Sequence, residues 1–233
     1  MLEVRNLEAG YGKLQVLFGV DISVEKGSVT GVLGPNGSGK STLLKTIFGI
    51  LKPWSGYIKI EGHDVTGFPP KRMIRMGIAF VPQGRALFPS MTVRENLEVA
   101  SYALGEELRE DHFKIIRELF PNLAEKLDDD AASLSGGEQR MLEVARGILF
   151  MPKILMLDEP SAGLAPKITD MIYEKLLILN KEYDVTLLIV EQNVYKALEV
   201  CENVYLLELG RNKYHGRADD LQTRKAVLES YLT

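Results

Sequence analysis

Apolar residues in this chain fall into two kinds of run. Short, nearly continuous runs of strand length occur at "SVTGVLG", "MGIAFVPQ", "KILMLDEP" and "VTLLIVE". Such runs, bounded by Gly, Pro or polar turns, read as buried strands. "MGIAFVPQ" is expected to end at Gln83. "LEVRNLEAGYG" and "VLFGVDISVEKG" alternate partially and end in Gly-containing turns, and "SGYIKIEGHDV" resembles another strand pair. Other stretches carry apolar residues at helical spacing. "STLLKTIFGIL" is one, with Pro53 beyond its end as a stop signal. Three more, "VRENLEVASYAL", "DHFKIIRELF" and "GGEQRMLEVARGILF", form a helical block between about residues 92 and 150. Helices at "PKITDMIYEKLLILNKEY" and "VYKALEVC" then alternate with strands, and "NVYLLELGRNKYHG" closes the pattern as a terminal strand with a turn. Strands and helices on both sides of a helical block predict an α/β core with a helical insertion.

Composition narrows the class without naming it. The 233 residues suit one large domain or one domain with an inserted subdomain. Apolar residues at 45% and charged residues at 26% are ordinary for a globular protein and exclude disorder. No apolar run reaches the roughly 18 residues that cross a bilayer, and "MLEVRNLEAG" has no basic, apolar secretion signal. The single cysteine, Cys201, excludes an internal disulfide and is expected half-buried on a helix. His63, His112 and His215 lack metal-ligand spacing. A formal charge of −4 argues against a nucleic-acid partner, because phosphate backbones attract basic faces.

The chemistry sits where strands end. "GPNGSGKS" fits G-x-x-x-x-G-K-[ST] at every fixed position, with a strand before it and a helix after it. Gly34, Pro35, Asn36, Gly37, Ser38 and Gly39 form a loop whose backbone N–H groups can turn inward around a phosphate. The helix starting near Lys40 adds its positive end. Lys40 is assigned to the β- and γ-phosphates, Ser41 to Mg²⁺ and Thr42 to the α-phosphate. "ILMLDEP" supplies two carboxylates at a strand mouth: Asp158 to hold Mg²⁺ through a water, and Glu159 to polarise an attacking water. Taken alone, "DE" there is a surface acidic turn; the P-loop upstream gives it a role. Tyr11, after the first strand, can stack on an adenine or be a half-buried turn residue. Gln83 can reach Mg²⁺ or the attacking water and is uninformative by itself. "LSGGE" opens a helix, with Ser135 as its N-cap. It reads either as a plain capped helix or as a second phosphate site, serving the nucleotide of another copy.

With these motifs together the chain resembles the ATP-binding-cassette ATPases over nearly its whole length. Tyr11 matches the adenine-stacking position, residues 34–42 Walker A, Gln83 the Q-loop, and Leu134, Ser135, Gly136, Gly137 and Glu138 the signature; residues 154–159 match Walker B with Glu159 as catalytic glutamate. The resemblance implies an α/β P-loop NTPase (RecA-like) core in residues 1–83 and 154–233. It also implies an N-terminal antiparallel β subdomain and an inserted α-helical subdomain at 84–153 carrying the signature. It implies ATP and Mg²⁺ as ligands. Two cassettes pair head-to-tail, ATP closes the pair, hydrolysis opens it, and the motion drives membrane subunits through a groove near the Q-loop.

Two positions depart from the common pattern. Gln192 in "VEQN" stands where the family usually has a histidine, and Ala165 in "SAGLAP" where it has an aspartate. Gln192 can donate a hydrogen bond to a phosphate but cannot take up a proton. Together with "GRALFPSMTVREN", these features resemble the ATPase subunits of branched-chain (hydrophobic) amino acid importers. That branch implies a peripheral protein on the cytoplasmic membrane face. Its partners would be two transmembrane permease subunits, a sister ATPase or a second copy, and indirectly an extracytoplasmic binding protein. Urea or short-amide import, a non-transport cassette ATPase and a module that holds ATP without hydrolysing it are the other readings.

Overall fold

The computed structural model describes residues 1–84, 86–105 and 109–232; Arg85, within "GRALF", lies outside them. Two sheets organise the chain. The first is antiparallel, in the order β2–β1–β4–β5, from β1 (Leu2–Tyr11), β2 (Leu14–Val24), β4 (Ser55–Ile60) and β5 (His63–Asp64). The second runs β10–β9–β3–β8–β7–β6, from β3 (Val29–Leu33), β6 (Ile78–Val81), β7 (Ile154–Asp158), β8 (Thr186–Glu191), β9 (Asn203–Glu208) and β10 (Arg211–Arg217). It is parallel except where β10 pairs antiparallel with β9.

Every residue of β3, β7 and β8 is buried, as expected for parallel strands covered on both faces. Alternate side chains therefore enter different cores. Ile154, Met156, Leu188 and Val190 pack with the antiparallel sheet and α1 (Lys40–Ile47). Leu155, Leu157, Leu187 and Ile189 pack with α6 (Gly136–Ile148), α7 (Pro166–Tyr183) and α8 (Val194–Val200). Cys201 is buried rather than half-buried, just past α8, and a Cβ placed at Gly31 would lie 2.9 Å from its Sγ.

The helical block holds α3 (Val93–Leu104), α4 (Glu110–Leu119), α5 (Pro121–Ala124) and α6. Thr92 and Glu95 form a reciprocal capping box on α3, at 3.1 and 2.8 Å. Buried Asn96 then fastens the preceding turn, bonding the N–H and C=O of Phe88 and the carbonyls of Met91 and Thr92.

Several boundaries differ from the sequence reading. β6 stops at Val81, because Pro82 has no N–H for the ladder, so Gln83 lies in the loop beyond. α1 stops at Ile47, where the chain turns at Gly49, well before Pro53. Three α-helices were not anticipated: α2 (Pro70–Arg75) and α5 (Pro121–Ala124), too short to display a period, and α9 (Leu221–Leu232), whose apolar residues keep no helical period.

Candidate active site

Strand register assembles the site. Leu33 pairs with Glu191, Asp158 with Val190, and Val81 with Leu157, so β3, β8, β7 and β6 end along one edge. That carboxyl edge is where open α/β sheets bind ligands. Because Val81 and Leu157 are level, Gln83 and Glu159 each lie two residues beyond and meet: Gln83 Nε2 donates to Glu159 Oε2 at 2.6 Å.

The loop between β3 and α1 is held from behind. Gly210 N donates to Ser38 O at 3.0 Å, and Phe18 N donates to Gly210 O at 2.9 Å, so β2 and the β9–β10 turn brace it. Lys40 is buried; its Nζ donates to Gly34 O at 2.8 Å and Pro35 O at 3.1 Å and lies 3.9 Å from Glu159 Oε1. Residues 36–42, with Val16, Gln83 and Glu159, line a cavity of about 420 Å³. Gly34 and Pro35 serve instead as acceptors for Lys40. Ser38 Oγ is buried with no hydrogen-bond partner, an unpaired donor beside the cavity that a phosphate oxygen would satisfy.

Asp158 is buried and accepts from Ser41 Oγ at 3.0 Å. Glu159 follows in the left-handed backbone region (φ 47), anchored by its N–H to Val190 O at 2.9 Å. Burial pushes both carboxyls above their ordinary range, more than Ser41 lowers Asp158 or Lys40 lowers Glu159. Burial likewise lowers the Lys40 ammonium against the pull of Glu159 and Asp158. A carboxylate with raised proton affinity is a better base toward water. Ser41 and Asp158 form an oxygen-only donor pair, which suits a hard cation such as Mg²⁺.

The signature stands apart from this cavity. Ser135 caps α6 in a closed exchange with Glu138: its Oγ accepts from Glu138 N at 3.3 Å, while Glu138 Oε2 takes the Ser135 N–H at 2.8 Å and the hydroxyl at 2.7 Å. Lys126 Nζ lies 2.6 Å from Glu138 Oε1, and that ammonium, then Ser135, hold the Glu138 carboxyl down to about 2. The two glycines differ. A Cβ on Gly137 would lie 2.8 Å from Ile168 Cγ2, so Gly137 lets α6 approach α7. A Cβ on Gly136 would meet nothing within 4 Å. Gly136 opens onto a second cavity of about 200 Å³ shared with Gln83, Glu159 and Gly163.

Among the described residues, then, the structure gathers Lys40, Ser41, Thr42, Gln83, Asp158 and Glu159, and leaves residues 135–138 outside their cavity. Tyr11 is exposed at the end of β1, opposite Leu14, and Gln192 is exposed beyond β8; neither lines the cavity. Ala165 caps α7 without any side-chain bond.

Sequence reasoning missed Arg140 and Glu191 as site residues. Buried Arg140 donates to Asp158 O (3.2 Å), Pro160 O (3.2 Å) and Pro82 O (3.1 Å), and pairs with Glu143 Oε2 at 2.6 Å. It joins the signature helix to the loops that carry Gln83 and Glu159. The available signal was an Arg–Glu pair at i, i+3 inside an apolar helix stripe.

Comparison with known proteins agrees with this geometry. The ABC transporter family matches residues 17–162. The chain is 43% identical over 221 residues to a probable branched-chain amino acid transport ATP-binding protein LivF of Archaeoglobus fulgidus, covering 95% of this chain and 94% of that protein. It is 40% identical over 232 residues to the high-affinity branched-chain amino acid transport ATP-binding protein BraG of Pseudomonas aeruginosa, covering 100% and 99%. Among solved structures, the ADP conformation of MJ1267, an ATP-binding cassette of an ABC transporter, superposes with a TM-score of 0.89 at 32% identity, covering 100% of this chain and 98% of that one.

Proposed function

The chain belongs to the ABC transporter family, and from that premise we propose that it is the ATP-hydrolysing subunit of an importer for branched-chain or other hydrophobic amino acids. One observation carries the hydrolytic half of this reading. Residues from three separated stretches, Lys40–Ser41, Gln83 and Asp158–Glu159, meet along one sheet edge. The substrate half rests on similarity to the LivF and BraG proteins.

In this reading the loop at 34–39 and Lys40 hold the phosphates. Lys40 leaves the carbonyls of Gly34 and Pro35, where it now rests, for the phosphate oxygens. Ser41 and Asp158 hold Mg²⁺, which when bound neutralises charge developing on the β- and γ-phosphates. Glu159, oriented by Gln83, takes the proton of the attacking water. Tyr11 stacks on adenine from the hairpin end, and Gln192 donates to the γ-phosphate. The signature of a second cassette, a sister subunit or another copy, closes over the nucleotide with the exposed face of Gly136.

The permease side is assigned to an apolar cavity of about 280 Å³ lined by Phe48, Ile74, Phe80, Ala100, Arg146 and Phe150, among others. It adjoins Val81 and Pro82, which lead into the Gln83 loop, so a docked permease would sense that loop. No helix among the described residues is long and apolar enough to cross a membrane. In the proposed reading two permease subunits form the membrane part, with this chain on their cytoplasmic face and a binding protein delivering substrate outside.

The test is ATP hydrolysis by the chain assembled with its permease in lipid vesicles, with the binding protein added. Leucine is expected to stimulate turnover. Stimulation by urea or acetamide and not by leucine would reassign the substrate.

A further inference from the structure

Glu191 closes β8 as a fully buried carboxylate, and the mechanism above gives it no task. Four donors surround it. Oε1 accepts from Tyr173 OH on α7 at 2.6 Å and from Ser161 N at 3.1 Å. Oε2 accepts from Gln192 N at 3.0 Å and Asn193 N at 3.1 Å. No ion pair to Glu191 occurs among the described residues, and all four of these hydrogen bonds come from neutral donors. Buried charge is retained where it is fully hydrogen-bonded.

The two oxygens face different loops. Ser161 lies two residues past Glu159, whose own N–H is fixed to Val190 O at 2.9 Å. Gln192 and Asn193 form the turn into α8, and Asn193 Oδ1 caps that helix by accepting from Lys196 N at 3.1 Å. One carboxylate thus bridges the loop behind Glu159 and the loop that presents Gln192. An amide would not serve both. Its single oxygen can satisfy one loop, while its NH₂ would confront a backbone N–H of the other.

We propose that Glu191 is a positioning residue for hydrolysis, fastening the Glu159 loop and the Gln192 loop into one unit so that both reach the γ-phosphate in register. The proposal rests on the hydrolytic reading given above. It extends that reading to a residue outside the lining of the phosphate-loop cavity.

The test is Glu191→Gln in the full chain, beside wild type and Glu159→Gln, with melting temperature, ATP affinity, kcat and KM measured on each. Positioning predicts a kcat lower by roughly 10- to 100-fold, with KM and ATP affinity within about threefold, since misplacement of reacting groups acts on turnover more than on binding. Turnover that falls in Glu159→Gln but stays within about twofold of wild type in Glu191→Gln would overturn the proposal and leave the hydrolytic reading standing. Turnover unchanged in both variants overturns the hydrolytic reading, and the proposal with it. Should Glu191→Gln not fold, amide exchange in the wild-type chain decides. The N–H groups of Ser161, Gln192 and Asn193 are expected to exchange as one cooperative unit. Exchange at Ser161 faster by about tenfold or more than at the other two would overturn the proposal.

Discussion

Two helices in this chain begin with similar words, "SGKS" at α1 and "SGGE" at α6, and they end in opposite states. α1 has no side-chain cap: Gly39 stands at its N-cap in the left-handed region (φ 101), and its first residue is a buried lysine. α6 is capped by Ser135 and carries Glu138 in its first turn, an acid that complements the helix's positive end from within. α1 therefore offers an uncapped positive end plus a cation inside a cavity, which is a binding site in its own right. α6 has partly satisfied its own end and keeps Gly136 open. The difference teaches that similar glycine-rich starts can divide the work: in the proposed reading one holds a phosphate alone, and the other supplements a nucleotide already held elsewhere.

The largest effect expected from breaking this contrast is at Lys40. Lys40→Ala removes the cation that bonds the loop carbonyls and faces Glu159, and ATP affinity is expected to fall by about 100-fold or more, since charge-assisted bonds to phosphate are the strong ones. Equilibrium titration with ATP reads this directly, and wild-type affinity would refute the phosphate assignment.

Ser135→Ala strikes the other helix. It removes the hydroxyl that serves Glu138 N and Glu138 Oε2, and a lost N-cap costs about 1 kcal/mol of stability. Chemical denaturation should show that loss, while ATP affinity of the isolated chain stays at the wild-type value. Weakened ATP binding by the lone chain would place the signature in the same site as Lys40.

A smaller effect sharpens the electrostatic side. The Glu138 carboxyl is held down from its ordinary 4.5 to about 2. A depressed carboxyl stabilises the fold above its unfolded value and loses that contribution as pH falls toward its folded value. The difference in Tm between wild type and Glu138→Gln should therefore shrink as pH drops from 4.5 toward 2. A difference independent of pH in that window would mean that Glu138 acts through packing alone.

How much of this was legible in the sequence depended on distance along the chain. α7 was readable over its full length, Pro166–Tyr183, because eighteen residues give helical periodicity room to declare itself. The loop at 34–39 was readable as a strand-to-helix connection because its parts are contiguous, and Asp158 as a strand end because a carboxylate closes an otherwise apolar run. Gln83 became meaningful only through a register no local pattern encodes, the pairing of Val81 with Leu157 that sets it against Glu159. Arg140 and Glu191 are harder still. Arg140 bonds backbone carbonyls 18 to 58 residues away in the chain and Glu191 a backbone N–H 30 residues away, and backbone partners leave no mark on composition or spacing. Gly136 and Gly137 look identical in sequence and differ only in what stands opposite them, Ile168 for one and open space for the other.

The most direct test of the assembled site is Glu159→Gln, measured as ATP turnover with Mg²⁺ together with the nucleotide retained and the mass of the species that retains it. The substitution keeps the side chain's shape and removes its basicity. Turnover is expected to fall by about 100-fold or more, with ATP kept in a pair of chains, because general-base catalysis contributes on that scale. Unchanged turnover would contradict the role given to Glu159 and the function built on it.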